Sequence, residues 1–173
     1  VFLSFRGEDV RKNFVDFLYS SLQQKGIYTF KDDEKLERGR SISSALRQAI
    51  KESRIAVIIF SENSAASSWC LDELAEIIDC NQALGQTILT VFYYVDPSVV
   101  RKQKCSFGQA FVKHEDEIED KERIRRWRAA LAEAASISGW DVPSIADGFA
   151  SLVFRQLNLP FLFNVHILCF LLY

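Results

Sequence analysis

Ile55-Ala56-Val57-Ile58-Ile59-Phe60 is an unbroken apolar run rich in β-branched residues. A strand with one wet face alternates apolar and polar residues, whereas a strand covered on both faces does not. The run therefore reads as a central strand with helices above and below it. Upstream, Val1 to Phe5 is a second apolar run that breaks at Arg6-Gly7-Glu8-Asp9, where glycine and charge take the chain out of the core. From Asp9 to Lys25, Phe14, Phe17, Leu18, Ser21 and Leu22 recur at helical spacing, and Gly26 stands where a C-terminal cap is wanted. Ile27 to Phe30 then reads as a strand. Strand, helix and strand within about thirty residues is the size of a βαβ unit, so the sheet is expected to be parallel.

The segment Lys31 to Arg40 carries four acids and four bases and reads as a solvated loop. A helix through Ile42, Ala45, Leu46, Ala49 and Ile50 leads into the central strand. After it, Ser61 to Ser68 is a small, polar connection. Leu71, Leu74, Ala75 and Ile78 next form one helical stripe, and Asp72, Glu76 and Asp79 form an opposite, solvated one. Glu73 belongs to neither. Ile88 to Val95 reads as a strand closed by Asp96-Pro97, with Ser98 to Cys105 as a loop. Phe107, Ala110, Phe111 and His114 mark another helix, and Ile124, Trp127, Leu131 and Ala134 the next. Gly139-Trp140 is expected to be a short edge strand. Ile145, Phe149, Leu152, Val153 and Leu157 outline a last helix before Pro160. The alternation is that of one α/β domain over residues 1–158.

The chain of 173 residues, 49% hydrophobic, is long enough for one such domain with a sizeable core. A net charge of −2 provides no global basic field for nucleic acid or an anionic membrane. The arginines at 123, 125, 126 and 128 read as a solvated helix face beside acidic neighbours. Cys70, Cys80, Cys105 and Cys169 form no CxxC pair, which reads as a reduced, intracellular protein. The strand-like start at Val1 is expected to lie inside a longer natural sequence. The apolar tail 159–173 is shorter than the roughly 20 residues of a spanning helix and is interrupted by Asn164 and His166, so a membrane anchor is not expected.

Several chemistries lack their residues. No second glycine follows Gly7 as a dehydrogenase turn requires, and neither a Walker A pattern nor a GxSxG elbow occurs. Two histidines, one of them in the tail, disfavour a Ser/His or Cys/His nucleophile pair or a zinc centre. Phe60-Ser61 supplies no aspartate at the tip of the third strand for a phosphoacceptor.

The stretches Val1 to Asp9, Gly26 to Phe30, Arg38-Gly39, Ser67-Ser68-Trp69-Cys70-Leu71-Asp72-Glu73-Leu74, Val91 to Pro97 and Ser106 to Gly108, in that order, resemble a plant Toll/interleukin receptor (TIR) domain of intracellular immune receptors. The resemblance implies a flavodoxin-like three-layer fold, a parallel sheet of about five strands in the order 2-1-3-4-5, and helices on both faces. It also implies cleavage of NAD+, or of NADP+, to nicotinamide and ADP-ribose-type products, in the cytoplasm or the nucleus. No prosthetic group or metal is implied. Glu73 matches the family's catalytic glutamate. Phe5, Arg6, Gly7, Ser67 and Trp69 are expected to line the substrate pocket, with Arg6 on phosphate and Trp69 as a wall. This chemistry suits a lone carboxylate, because the leaving nicotinamide departs as a neutral pyridine and only the oxocarbenium needs a negative partner.

Plainer readings stand beside each residue. Glu73 is also what an acid in a first helical turn would be, Ser67 a cap, Trp69 a packing residue and Arg6 a surface charge. A noncatalytic TIR interaction module is the corresponding alternative for the whole chain. The resemblance further implies self-association with other TIR domains, and a Lys31 to Arg40 loop that rearranges on assembly. Asp16-Phe17 departs from the small residue and histidine usual on the family's first helix. Ala45, Val99 and Cys105 depart where Glu, Asp and Gly are common.

Overall fold

The structure, a computed structural model, describes residues 1–31, 44–137 and 139–142. Of Asn13 and residues 140–142 it describes the backbone alone. The strands are β1 (Phe2–Phe5), β2 (Phe30–Lys31), β3 (Ile55–Phe60), β4 (Thr87–Tyr93) and β5 (Gly139–Val142). They form one sheet in the order β2-β1-β3-β4-β5, every neighbouring pair parallel. The helices are α1 (Gly7–Val10), α2 (Asp16–Gln24), α3 (Ser44–Glu52), α4 (Ser68–Leu84), α5 (Pro97–Arg101), α6 (Cys105–Glu117) and α7 (Lys121–Ala134).

β3 shows why its run is unbroken. Ile55, Val57 and Ile59 enter the core shared with Val10, Phe14, Val15 and Leu18 of the first helical segment. Ala56, Ile58 and Phe60 enter the opposite core, shared with α3, α4, α6 and α7. With period-2 alternation and helices on both faces, every β3 side chain is buried.

The first helix is not continuous as expected. A π turn over Arg11–Val15 separates α1 from α2. The wider turn inserts one residue, and Val10, Phe14, Val15 and Leu18 are all buried as a result. Gly26 has φ 72°, the left-handed cap expected of it. β2 is shorter and later than Ile27 to Phe30, because β1 begins only at Phe2 and the ladder is Phe2↔Phe30 and Leu3↔Lys31. Tyr28 falls beyond its end and is exposed. β4 starts at Thr87 and stops at Tyr93 rather than Val95, where Tyr94 turns to φ 53°. The expected loop after it holds α5, since Asp96 caps Ser98 N at 2.6 Å and Pro97 occupies the first helical turn.

β5 runs to Val142, beyond Gly139-Trp140. A Cβ on Gly139 would lie 2.1 Å from Thr90 Oγ1 and 2.7 Å from Thr90 O, so glycine permits the close approach to β4. Among the described residues, no helix is long and apolar enough to cross a membrane. Lys31, expected to open a loop running to Arg40, belongs instead to β2; the rest of that loop, the start of the helix at Ile42, the last helix over 145–157 and the tail 159–173 lie outside the described residues.

Candidate active site

In the order 2-1-3-4-5 the chain leaves β1 toward one edge of the sheet and β3 toward the other. Their exit loops part at the carboxyl ends, the crevice where α/β sheets bind ligands. α4 roofs this crevice. Ser67, extended at φ −100°, ψ 109°, ends the polar connection and caps α4, its Oγ accepting from Cys70 N at 3.3 Å. Trp69, Cys70 and Glu73 follow on the surface that meets β1.

Glu73 is 3% exposed. Its Oε2 accepts from Ser4 Oγ of β1 at 2.8 Å, and its Oε1 accepts from Trp69 Nε1 one turn earlier at 2.8 Å. The Cys70 thiol donates to the Phe5 carbonyl at 3.6 Å. Burial first, and then the negative charge of Glu73, push that thiol up to about 12. α4 begins at Ser68 and has no acid in its first turn. Glu73 therefore lies beyond the reach of the dipole at the helix start, which corrects the first-turn reading.

A second carboxylate ties the two exit loops together. Asp9 Oδ1 accepts from Arg6 Nη1 at 2.7 Å, and Asp9 Oδ2 accepts from Ser61 Oγ at 2.6 Å and from Asn63 N at 3.3 Å. Ser61 N in turn donates to Ser64 Oγ at 2.8 Å. Arg6 also pairs with Glu8. Between these loops and α4, Ser4, Phe5, Arg6, Ser64 and Cys70 help to line a cavity of about 20 Å³, room for about one water molecule. The Arg11 guanidinium sits 5.4 Å from the centre of the Phe5 ring. Among the described residues, no group of His, Cys, Asp and Glu is arranged to hold a metal ion.

The row expected to be solvated is split. Asp79 is exposed, but Asp72 is buried, accepting from Arg123 Nε at 3.1 Å and from Trp127 Nε1 at 2.8 Å. The arginine face of α7 is correspondingly engaged: Arg126 pairs with Asp79, Arg128 with Glu115 and Arg125 with Glu122. Arg123 is partly buried rather than solvated.

A family model described as the TIR domain matches residues 1–149. The chain belongs to the TIR domain family. Over 140 residues this TIR domain is 58% identical to disease resistance protein RPV1 of Vitis rotundifolia, covering 81% of the chain and 10% of that protein. It is 54% identical to the TMV resistance protein N of Nicotiana glutinosa over 140 residues, covering 80% and 12%. The chain thus spans roughly a tenth of the curated relatives it matches. It superposes on the TIR domains of the activated Roq1 resistosome, which directly recognises the pathogen effector XopQ, with TM-score 0.81 and 48% identity, covering 90% of this chain and 95% of that one.

Of the residues singled out in the sequence, Phe5 and Arg6 line the cavity of the TIR domain, and Trp69 and Glu73 are bonded to each other. Ser67 is spent on the cap. Arg6 faces two acids rather than standing open. Gly7 lies under the Arg11 side chain, whose Nη2 would be 2.8 Å from an added Cβ. Ser4, Asp9, Ser61 and Cys70 were not anticipated as site residues. Ser4 did carry a signal: it is the one polar residue inside Val1 to Phe5.

Proposed function

We propose that this TIR domain cleaves NAD+, or NADP+, to nicotinamide and an ADP-ribose-type product when it self-associates, as a signalling module of plant disease resistance. The observation that carries this reading is Glu73, a carboxylate held by Ser4 and Trp69 beside the switch-point crevice. In the proposed reaction the bond from C1′ of the ribose to the nicotinamide nitrogen breaks, and its electron pair stays with the departing pyridine. Glu73 stabilises the resulting oxocarbenium and accepts from ribose hydroxyls, and water adds at C1′ with loss of a proton. Phe5 and Arg6 on one side and Trp69 on the other bound the substrate, Arg6 toward phosphate. No prosthetic group enters the reaction. The disease-resistance relatives and the likeness to resistosome TIR domains support the setting, which we place in the cytoplasm or nucleus.

A specific observation favours the other reading, a noncatalytic interaction module. Glu73 is covered, and the adjacent cavity of about 20 Å³ is far below the several hundred Å³ of a dinucleotide site. Catalysis therefore requires the crevice to open, and assembly is the proposed source of that free energy. Nicotinamide release from NAD+ by artificially clustered protein separates the two. The parent is expected to release nicotinamide, and Glu73→Ala, folded by circular dichroism, to lose at least about 100-fold. Equal release from both removes Glu73 as catalyst. Clustering with no NAD+ loss and persistent partner binding establishes the interaction module instead.

A further inference from the structure

We propose that Ser4 is a positioning residue for Glu73, fixing the carboxylate against the sheet at the mouth of the crevice; this rests on the NAD+-cleaving reading above. A serine in the middle of a covered central strand is a local inconsistency, and such inconsistencies collect at functional sites. β1 otherwise buries Phe2, Leu3 and Phe5. Phe2, two residues before Ser4, joins the core shared with α4, whereas Leu3 and Phe5 join the opposite core. The period of 2 places Ser4 on the α4 side, where its short side chain leaves room for Glu73 and its hydroxyl meets Oε2 at 2.8 Å.

Trp69 and Ser4 act on Glu73 in different ways. Trp69 is on the same helix, one turn away, so its bond orients the carboxylate within α4 without fixing α4 to anything else. Ser4 is on β1, paired to β3 at Ser4↔Ile58, and its bond fixes the carboxylate relative to the sheet. Ser4 also lines the cavity beside Phe5 and Arg6, so one side chain touches both the carboxylate and the crevice. A reacting group held by a rigid element is placed more closely than one held by a loop, and misplacement by about 1 Å costs about 100-fold in rate. A hydroxyl that merely satisfied a buried carboxylate would affect folding stability; a positioning hydroxyl sets turnover in protein that is already folded.

The test uses isosteres. Threonine and valine have the same shape and differ in the hydroxyl, so Ser4→Thr and Ser4→Val load the site alike. Nicotinamide release by clustered, folded protein is measured across an NAD+ series for the parent, both variants, Ser4→Ala and Glu73→Gln. Ser4→Val and Ser4→Ala are expected to lower kcat by about 10- to 100-fold with KM within about twofold, and Ser4→Thr to stay within about threefold of the parent. Valine as active as threonine, or threonine as inactive as valine, overturns the proposal. If Ser4→Val does not fold, Ser4→Ala, which needs no added space, carries the comparison. Release abolished by Glu73→Gln but indifferent to Ser4→Ala removes the role of Ser4 and leaves the catalytic reading standing. A parent with no Glu73-dependent release overturns both.

Discussion

At the scale of single residues, the three free cysteines among the described residues have three different surroundings. Cys70 is buried against Phe5 O and beside Glu73, and its thiol is pushed from 9.0 up to about 12. Cys80 is buried and raised by burial, then by the charge of Glu76. Cys105 is exposed. Thiolate, not thiol, is the reactive species. Alkylation of folded protein at pH 8, followed by peptide mapping, is therefore expected to label Cys105 and spare Cys70 and Cys80; prompt labelling of Cys70 would contradict its burial on the face of α4 that meets β1. The linkage has a definite sign. A thiol whose folded value is raised favours folding fully below its unfolded value, so the contribution of Cys70 is present below about pH 9 and is lost between about pH 9 and about pH 12. Urea titrations at pH 8 and pH 10 are expected to show lower stability at the higher pH, with the difference reduced in Cys70→Ala. Cys105 also sits at φ 51°, a conformation glycine adopts more readily than cysteine.

At the scale of elements, α4 is held from two sides. β1 grips it through Ser4–Glu73, and α7 grips it through Asp72, which accepts from both Arg123 and Trp127. Removing one partner of a covered ion pair leaves the charge of the other uncompensated and costs about 3–5 kcal/mol. A quarter of the Arg123 side chain is exposed, which lowers the expectation for Arg123→Ala to about 2 kcal/mol. Arg125→Ala, by contrast, breaks a pair with Glu122 that is largely in solvent on both sides and should stay within about 0.5 kcal/mol. Urea unfolding of the two variants checks this. Equal effects would show that the Asp72 pair contributes no more than a surface one.

At the scale of the whole molecule, the crevice is closed. Asp9 bridges the exits of β1 and β3 through Arg6, Ser61 and Asn63, and the space beside it is about 20 Å³. Turning a closed majority of about 99% into an open one takes about 5.5 kcal/mol of preferential binding. An interface formed only by the open state can supply that. Under the proposed NAD+-cleaving function, specific activity is therefore expected to rise with protein concentration, in step with the oligomer fraction measured by analytical ultracentrifugation. A specific activity independent of concentration would disconnect opening from assembly.

Much of this architecture was legible in the residues themselves. The unbroken Ile55 to Phe60, the break after Phe5, the helical spacing before Gly26 and the Asp96-Pro97 stop are local signals, and local sterics and burial decide them. Strand ends and the π turn were not legible, because a ladder stops where its partner stops and a helix rewinds to meet a sheet it cannot anticipate. Glu73 stood apart from both stripes of its helix, and Ser67 carried the composition of a cap. What only the tertiary structure decided is which groups meet across long stretches of chain: Ser4 with Glu73, Asp9 with Ser61, and Asp72 with Arg123. Periodicity assigns a side chain to a face but does not say what the opposite face will present. Asp72 accordingly reads as solvated in sequence and is buried in the fold, because a buried carboxylate is tolerable only where donors from another element reach it.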